Sequence, residues 1–157
     1  MLRHSKRLGE ILVDKGLITE TQVMSALEEQ KRTKEFLGEI LIRRKLIKEK
    51  DLLKALSEQF EIPIVKLTNK YIDWNLVKKF TPSLILDYRC FPVKEGDFSV
   101  TIAITNPLDA WAMKKIEEEA RGLIPKFVLS SREDMDDVVR RYEEYLRKEI
   151  SKQFEQE

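Results

Sequence analysis

The sequence predicts an α+β protein. A tandem-repeat subdomain of four short helices comes first, and a small α/β subdomain with a three- to four-stranded sheet and a long C-terminal helix follows. Three observations carry this reading: an internal repeat in the first sixty residues, mixed strand and helix signals after residue 60, and a charge-dense helical pattern at the end. The boundaries expected are 1–60 for the helical subdomain, 61–145 for the α/β subdomain, and 146–157 for a projecting helix or linker.

Residues 7–30 read RLGEILVDKGLITETQVMSALEEQ and residues 36–59 read FLGEILIRRKLIKEKDLLKALSEQ. Twelve of the 24 aligned positions are identical at an offset of 29, so the segment is a duplication. In the first copy Leu8, Ile11 and Leu12 share a helix face that ends near Gly16, a C-cap glycine. Thr19 is an N-cap, and Val23, Ala26, Leu27 and Gln30 follow at helical spacing. The second copy repeats this with Leu37, Ile40, Leu41, Leu52, Ala55, Leu56 and Gln59. Neither helix pair can bury its apolar stripe alone; two copies stacked about a pseudo-two-fold axis can. Gly9 and Gly38 stand early in helices, where glycine costs about 1 kcal/mol relative to alanine. Two readings account for them: close helix–helix contact, which we favour, and a ligand lying on the backbone.

Beyond the repeat, Ile62–Leu67 reads as a short strand, with Pro63 at its start or at an edge. Residues 73–80 form a short helix and Pro82 starts another through Asp87. Arg89–Val93 and Phe98–Ile104 flank Glu95-Gly96-Asp97 as a hairpin. Asn106-Pro107-Leu108-Asp109 turns into a helix over 108–121, closed by Gly122; Ile124–Leu129 is a further strand. Ser131 caps a last helix running to residue 154, carrying Met135, Val138, Val139 and Tyr142 as core. Trp74 and Trp111 are expected in the core, and Cys90 in a strand as an inert buried thiol.

Composition excludes several function classes. Lys+Arg 29 against Asp+Glu 28 leaves a net charge of +1, which with interleaved acids ranks nucleic-acid binding low. Basic runs such as Lys31-Arg32-Thr33-Lys34 and Arg43-Arg44 read as solvated faces. One cysteine and one histidine, His4, cannot build a usual tetrahedral zinc site, and a Ser–His–Asp triad would depend on a residue at the fraying terminus. The five glycines fit neither a phosphate-binding loop nor a dinucleotide fingerprint. No apolar run is long enough to span a membrane, and no apolar region follows the basic first residues. We therefore expect no enzymatic activity, no metal and no cofactor.

The pattern RLGxxLVxxGLIxxxxVxxxLxxQ, repeated after the spacer Lys31-Arg32-Thr33-Lys34-Glu35, resembles the N-terminal domain of type II secretion and type IV pilus assembly ATPases. More narrowly it resembles the MshEN branch of that family, which binds cyclic di-GMP. The likeness continues through Gln59-Phe60-Glu61-Ile62-Pro63-Ile64-Val65, Thr105-Asn106-Pro107-Leu108-Asp109 and Val138-Val139-Arg140-Arg141-Tyr142, and spans roughly residues 5–145.

That resemblance implies a regulatory domain holding one cyclic di-GMP between its two motifs. A two-fold symmetric dinucleotide suits duplicated half-sites. By position, Arg7 stands for the guanine-reading arginine, whose fork fits O6 and N7. Gly9 and Gly38 let the backbone near the ligand; Gln30 and Gln59 donate and accept; Leu8, Val23, Leu27, Leu37, Leu52 and Leu56 offer apolar surface to the purines. Glu39 and Asp109 stand where family acids touch the guanine edge. Three positions depart. Phe36 replaces the arginine in the second copy; it can stack on a base but cannot form the fork. Lys45 replaces Gly16, at a strain of about 1 kcal/mol if φ is positive, or else lends its charge to a phosphate. Val23 replaces a leucine and trims one contact.

The partners implied are cyclic di-GMP, a secretion or pilus ATPase motor in cis or in trans, and the inner-membrane platform protein. The location implied is cytoplasmic, peripheral at the inner membrane through a partner. No motor motif follows, so the chain is expected to be an excised domain or a relative acting in trans. The alternative is a docking module between the ATPase and its platform with no nucleotide ligand, for which the departures at Phe36 and Lys45 would mark a decayed site.

Overall fold

The computed structural model describes residues 7–68 and 71–155; His4 lies outside them. The chain divides into two compact units between Ile64 and Val65.

The first unit holds α1 (Leu8–Asp14), α2 (Glu20–Thr33), α3 (Leu37–Arg43) and α4 (Glu49–Phe60). In α1 the Gly16 N–H reaches the Val13 carbonyl and the Leu17 N–H reaches that of Leu12, with Gly16 at φ +72°. This is a Schellman stop. α3 ends the same way, Lys45 N–H to Ile42 and Leu46 N–H to Leu41, with Lys45 at φ 60°. The second copy therefore forces a lysine into a conformation that favours glycine.

Thr19 caps α2 with a reciprocal pair: its Oγ1 accepts from Gln22 N–H at 3.2 Å, and its own N–H donates to Gln22 Oε1 at 2.9 Å. In α4 only half of this survives. The Lys48 N–H donates to Asp51 Oδ2 at 3.1 Å, and lysine has no oxygen with which to reciprocate.

Leu8, Ile11, Leu12, Ile18 and Ala26 are buried, and so are their counterparts Leu37, Ile40, Leu41, Ile47 and Ala55. The packing crosses between copies: α1 lies on α4, and α2 on α3. Exchanging the two copies turns each pair into the other, as a pseudo-two-fold relation requires.

The second unit holds α5 (Trp74–Val77), α6 (Pro82–Leu86), β1 (Phe91–Glu95), β2 (Ser99–Ile104), α7 (Ala110–Glu119), β3 (Ile124–Leu129) and α8 (Arg132–Glu155). The sheet order is β1-β2-β3, with β1–β2 antiparallel and β2–β3 parallel. α7 is the crossover that a parallel pair needs. The β1 register slips between Pro92 and Lys94, at a residue with no N–H to donate. β2 is central; Ala103 joins Met135, Val138, Val139 and Tyr142 of α8 with Phe91 and Ile85 in one core.

Several expectations need correction. Ile62–Leu67 forms no strand. Pro63 cannot donate, and the Leu67 N–H is taken at 2.7 Å by the Asp134 carboxylate; only Val65 N–H reaches β3, at the Leu129 carbonyl. α5 stops at Val77, after which Lys79 and Phe80 make tight three-residue turns before Thr81-Pro82. The helix expected from 108 begins at Ala110, because Asp109 is its cap, accepting from Ala112 N–H at 3.1 Å. β1 begins at Phe91 because Arg89 sits at φ 53°. Cys90 is accordingly not in the strand but immediately before it, and is buried as expected. Trp111 is 74% exposed; α7 buries Ala112 and Ile116, and Trp111 falls on the flank. Trp74 is half-buried and stacks on Tyr145 at 4.3 Å. On α8 Ile150 and Phe154 are exposed. No helix among the described residues is long and apolar enough to cross a membrane.

Two outcomes follow. Lys45→Gly should raise stability by about 1 kcal/mol in urea unfolding, and Gly16→Lys should lower it by about as much. Burial, with the Asp109 and Glu119 carboxylates, pushes the Cys90 thiol up to about 12. Native protein at pH 8 should therefore resist iodoacetamide, and unfolded protein should react, as mass spectrometry would read.

Candidate functional site

The expected ligand residues fall mainly at the helix junctions of the first unit. Arg7 and Phe36 are the N-caps of α1 and α3, and they share one backbone conformation: φ −68°, ψ 154° and φ −67°, ψ 140°. Arg7 is exposed, and no ion pair holds its guanidinium among the described residues; Phe36 is half-buried. Leu8, Gly9, Leu37, Gly38 and Leu56 are buried, while Val23, Leu27, Glu39 and Leu52 are half-buried.

Both glycines seat a side chain from the second helix of their own copy. A Cβ on Gly9 would lie 2.9 Å from Val23 Cγ1, and one on Gly38 would lie 2.6 Å and 2.8 Å from the two Leu52 methyls. The intervals are equal, 14 residues in each copy, so close helix contact explains both glycines. The first copy also keeps open space: a cavity of about 300 Å³ is lined by Gly9, Glu10, Val13, Glu20, Val23 and Met24.

The two glutamines differ. Gln30 Nε2 donates to the Glu35 carbonyl at 3.1 Å, which ties it to the segment leading to Phe36. Gln59 Oε1 is buried with no hydrogen-bond partner among the described residues. Such an acceptor costs about 1–3 kcal/mol until something donates to it. Asp109 belongs to the second unit, where capping α7 already accounts for its carboxylate.

Sequence reasoning missed the ion pairs that tie the two copies together. Lys15 Nζ lies 3.1 Å from Glu58, and Arg44 lies 3.0 Å from Glu29. These pairs are counterparts at the 29-residue offset. The signal was legible: Glu29 and Glu58 are identical, and Lys15 and Arg44 are both basic. Arg43 adds bonds to Glu29 at 3.2 Å and Glu35 at 3.1 Å, so the Arg43-Arg44 pair is exposed, as a solvated face is, and is also ion-paired. At Glu29, burial acts to raise the carboxyl, but Arg43 and Arg44 outweigh it and hold the group below its ordinary value. A depressed carboxylate stabilises the fold above its unfolded pKa and loses that contribution as pH falls through the folded one. Among the described residues no group of three or more His, Cys, Asp and Glu could hold a metal ion.

Comparison with known proteins gives concordant matches. The MshEN domain model matches residues 60–149, which covers the last five residues of the first unit and most of the second and leaves the tandem motifs outside it. Among solved structures, one of MshE with cdg superposes with a TM-score of 0.80 at 28% identity, covering 87% of this chain and 99% of that one. The N-terminal domain of XpsE matches in two crystal forms at 21% identity, which bears on fold alone. One has a TM-score of 0.67 and covers 86% of this chain and 92% of that one; the other has 0.56, with 90% and 97% covered. No curated protein matches the sequence.

Gly38→Ala should lose about 1 kcal/mol net, since overpacking Leu52 at about 1–3 kcal/mol exceeds the helix-propensity gain of about 1 kcal/mol. In a Leu52→Ala background the overpacking is gone and the same change should stabilise by about 1 kcal/mol; chemical denaturation of the four proteins checks this. Glu29→Gln should flatten the loss of stability on acidification below the usual carboxylate range, as an acid titration followed by circular dichroism would show.

Proposed function

We propose that this chain, which belongs to the MshEN domain family, is a non-catalytic regulatory domain that binds cyclic di-GMP through its tandem motifs. In this reading it regulates a type II secretion or type IV pilus assembly ATPase, in cis or in trans, in the cytoplasm. It reaches the inner membrane only through the motor or its platform protein.

The observation that carries the reading is the likeness to MshE with cdg, taken as cyclic di-GMP, over 87% of this chain. The chain's own residues support it. Arg7 holds a guanidinium that no ion pair engages among the described residues, at a helix start, suited to the O6/N7 edge of guanine. Gly9 and Gly38 are buried under Val23 and Leu52, so helix packing accounts for them without a ligand. Val23, Leu27 and Leu52 are half-buried and keep apolar surface for a purine face, while Leu8, Leu37 and Leu56 are buried and belong to the core beneath them. Gln30 and Gln59 close the two motifs, and the buried Gln59 Oε1 has no hydrogen-bond partner among the described residues. Glu39 contributes an acid in the first turn of α3. Asp109 is the weakest member of the set, since helix capping explains it without a ligand.

Ligand spanning both motifs would favour arrangements in which both are formed. Regulation then needs only that the motor-bound states of the domain differ in affinity for the ligand.

Isothermal titration of the chain with cyclic di-GMP tests this, with GTP and cyclic di-AMP as controls. One-to-one saturable binding is expected. Arg7→Ala should weaken it by about 1–3 kcal/mol, the worth of a good fork on guanine. No heat and no competition at high ligand concentration would leave the nucleotide reading without support.

A further inference from the structure

The two motifs are alike in backbone and unlike in chemistry. At the starts of α1 and α3 the chain adopts nearly the same φ and ψ, yet one start carries Arg7 and the other Phe36. A guanidinium fork needs two acceptors side by side. Guanine offers O6 and N7; adenine puts an amino group where O6 would be and opposes donor with donor. An aromatic ring stacks on either base, because every base has a π face.

The surroundings do not add to the inequality. Glu10 and Glu20, which line the cavity of about 300 Å³ beside Gly9, have identical counterparts in Glu39 and Glu49, and Val23 covers Gly9 as Leu52 covers Gly38. The two helix starts, Arg7 and Phe36, carry the difference.

The geometry points to a site with one guanine-selective half and one base-tolerant half, which accepts a mixed cyclic dinucleotide of one guanine and one adenine alongside cyclic di-GMP and rejects cyclic di-AMP. This rests on the cyclic-dinucleotide reading above and adds its base specificity. Arg7 and Phe36 are the residues that divide the labour.

Competition titrations on the full chain test it, using cyclic di-GMP, cyclic GMP-AMP of the same linkage and cyclic di-AMP. The mixed ligand is expected within about tenfold of cyclic di-GMP, and cyclic di-AMP at least about tenfold weaker than either. Phe36→Arg, with its fold checked by circular dichroism, should widen the preference for cyclic di-GMP over the mixed ligand by about tenfold. Phe36→Trp, which keeps a ring, should leave that ratio unchanged. If cyclic di-GMP binds and the mixed ligand is more than about tenfold weaker, the inference fails and the receptor reading stands. Cyclic di-AMP binding as tightly as cyclic di-GMP would also overturn it. Binding of none of the three would remove the receptor reading and this inference together.

Discussion

Each of the two N-terminal helix pairs has an apolar stripe that it cannot cover by itself, and the first unit depends on how that stripe is covered. The solution is exchange: α1 of one copy lies on α4 of the other, and α3 on α2. The buried sets are therefore counterparts, Leu8 with Leu37, Ile11 with Ile40 and Leu12 with Leu41. Burying a side chain of this size contributes about 1.5–3 kcal/mol, so the aliphatic set outweighs any polar contact in the unit. The ion pairs Lys15–Glu58 and Arg44–Glu29 sit on the surface of this exchange. Surface pairs of this kind contribute at most about 1 kcal/mol each.

The same duplication carries chemistry in the proposed reading. A two-fold ligand needs two half-sites facing it, and a duplicated helix pair supplies them without inventing either twice. Once present, the copies are free to diverge where packing does not constrain them. They have diverged at the helix starts, Arg7 against Phe36, and at the stops, Gly16 against Lys45. Buried positions on which the exchange depends have stayed identical. Divergence of this pattern leaves the scaffold intact and alters what each half recognises.

In the second unit the central strand β2 organises the rest. It pairs on both edges, antiparallel to β1 and parallel to β3. Ala103 faces the α8 core, and by the alternation of a strand Val100, Ile102 and Ile104 turn to the other face, where they are also buried. The segment entering this unit is held by single bonds to elements far along the chain, Val65 to Leu129 and Leu67 to Asp134, and so it is pinned without becoming a strand.

Local signals in the sequence determined a good deal. The 29-residue repeat, the caps at Thr19, Ser131 and Gly16, strand β3 and the buried counterparts were all legible, because each is set within a few residues or by helical period. Tertiary structure alone decided which helix of one copy meets which helix of the other, and hence why Glu29 and Glu58 are both glutamates. It also decided that Leu67 gives its N–H to a carboxylate 67 residues away, that Trp111 faces solvent, and that Gln59 keeps a buried acceptor while Gln30 does not. The physical reason is common to all of these. Periodicity and capping follow from neighbours along the chain, whereas partners for a backbone donor, an aromatic ring or an amide are set by which segments converge in space.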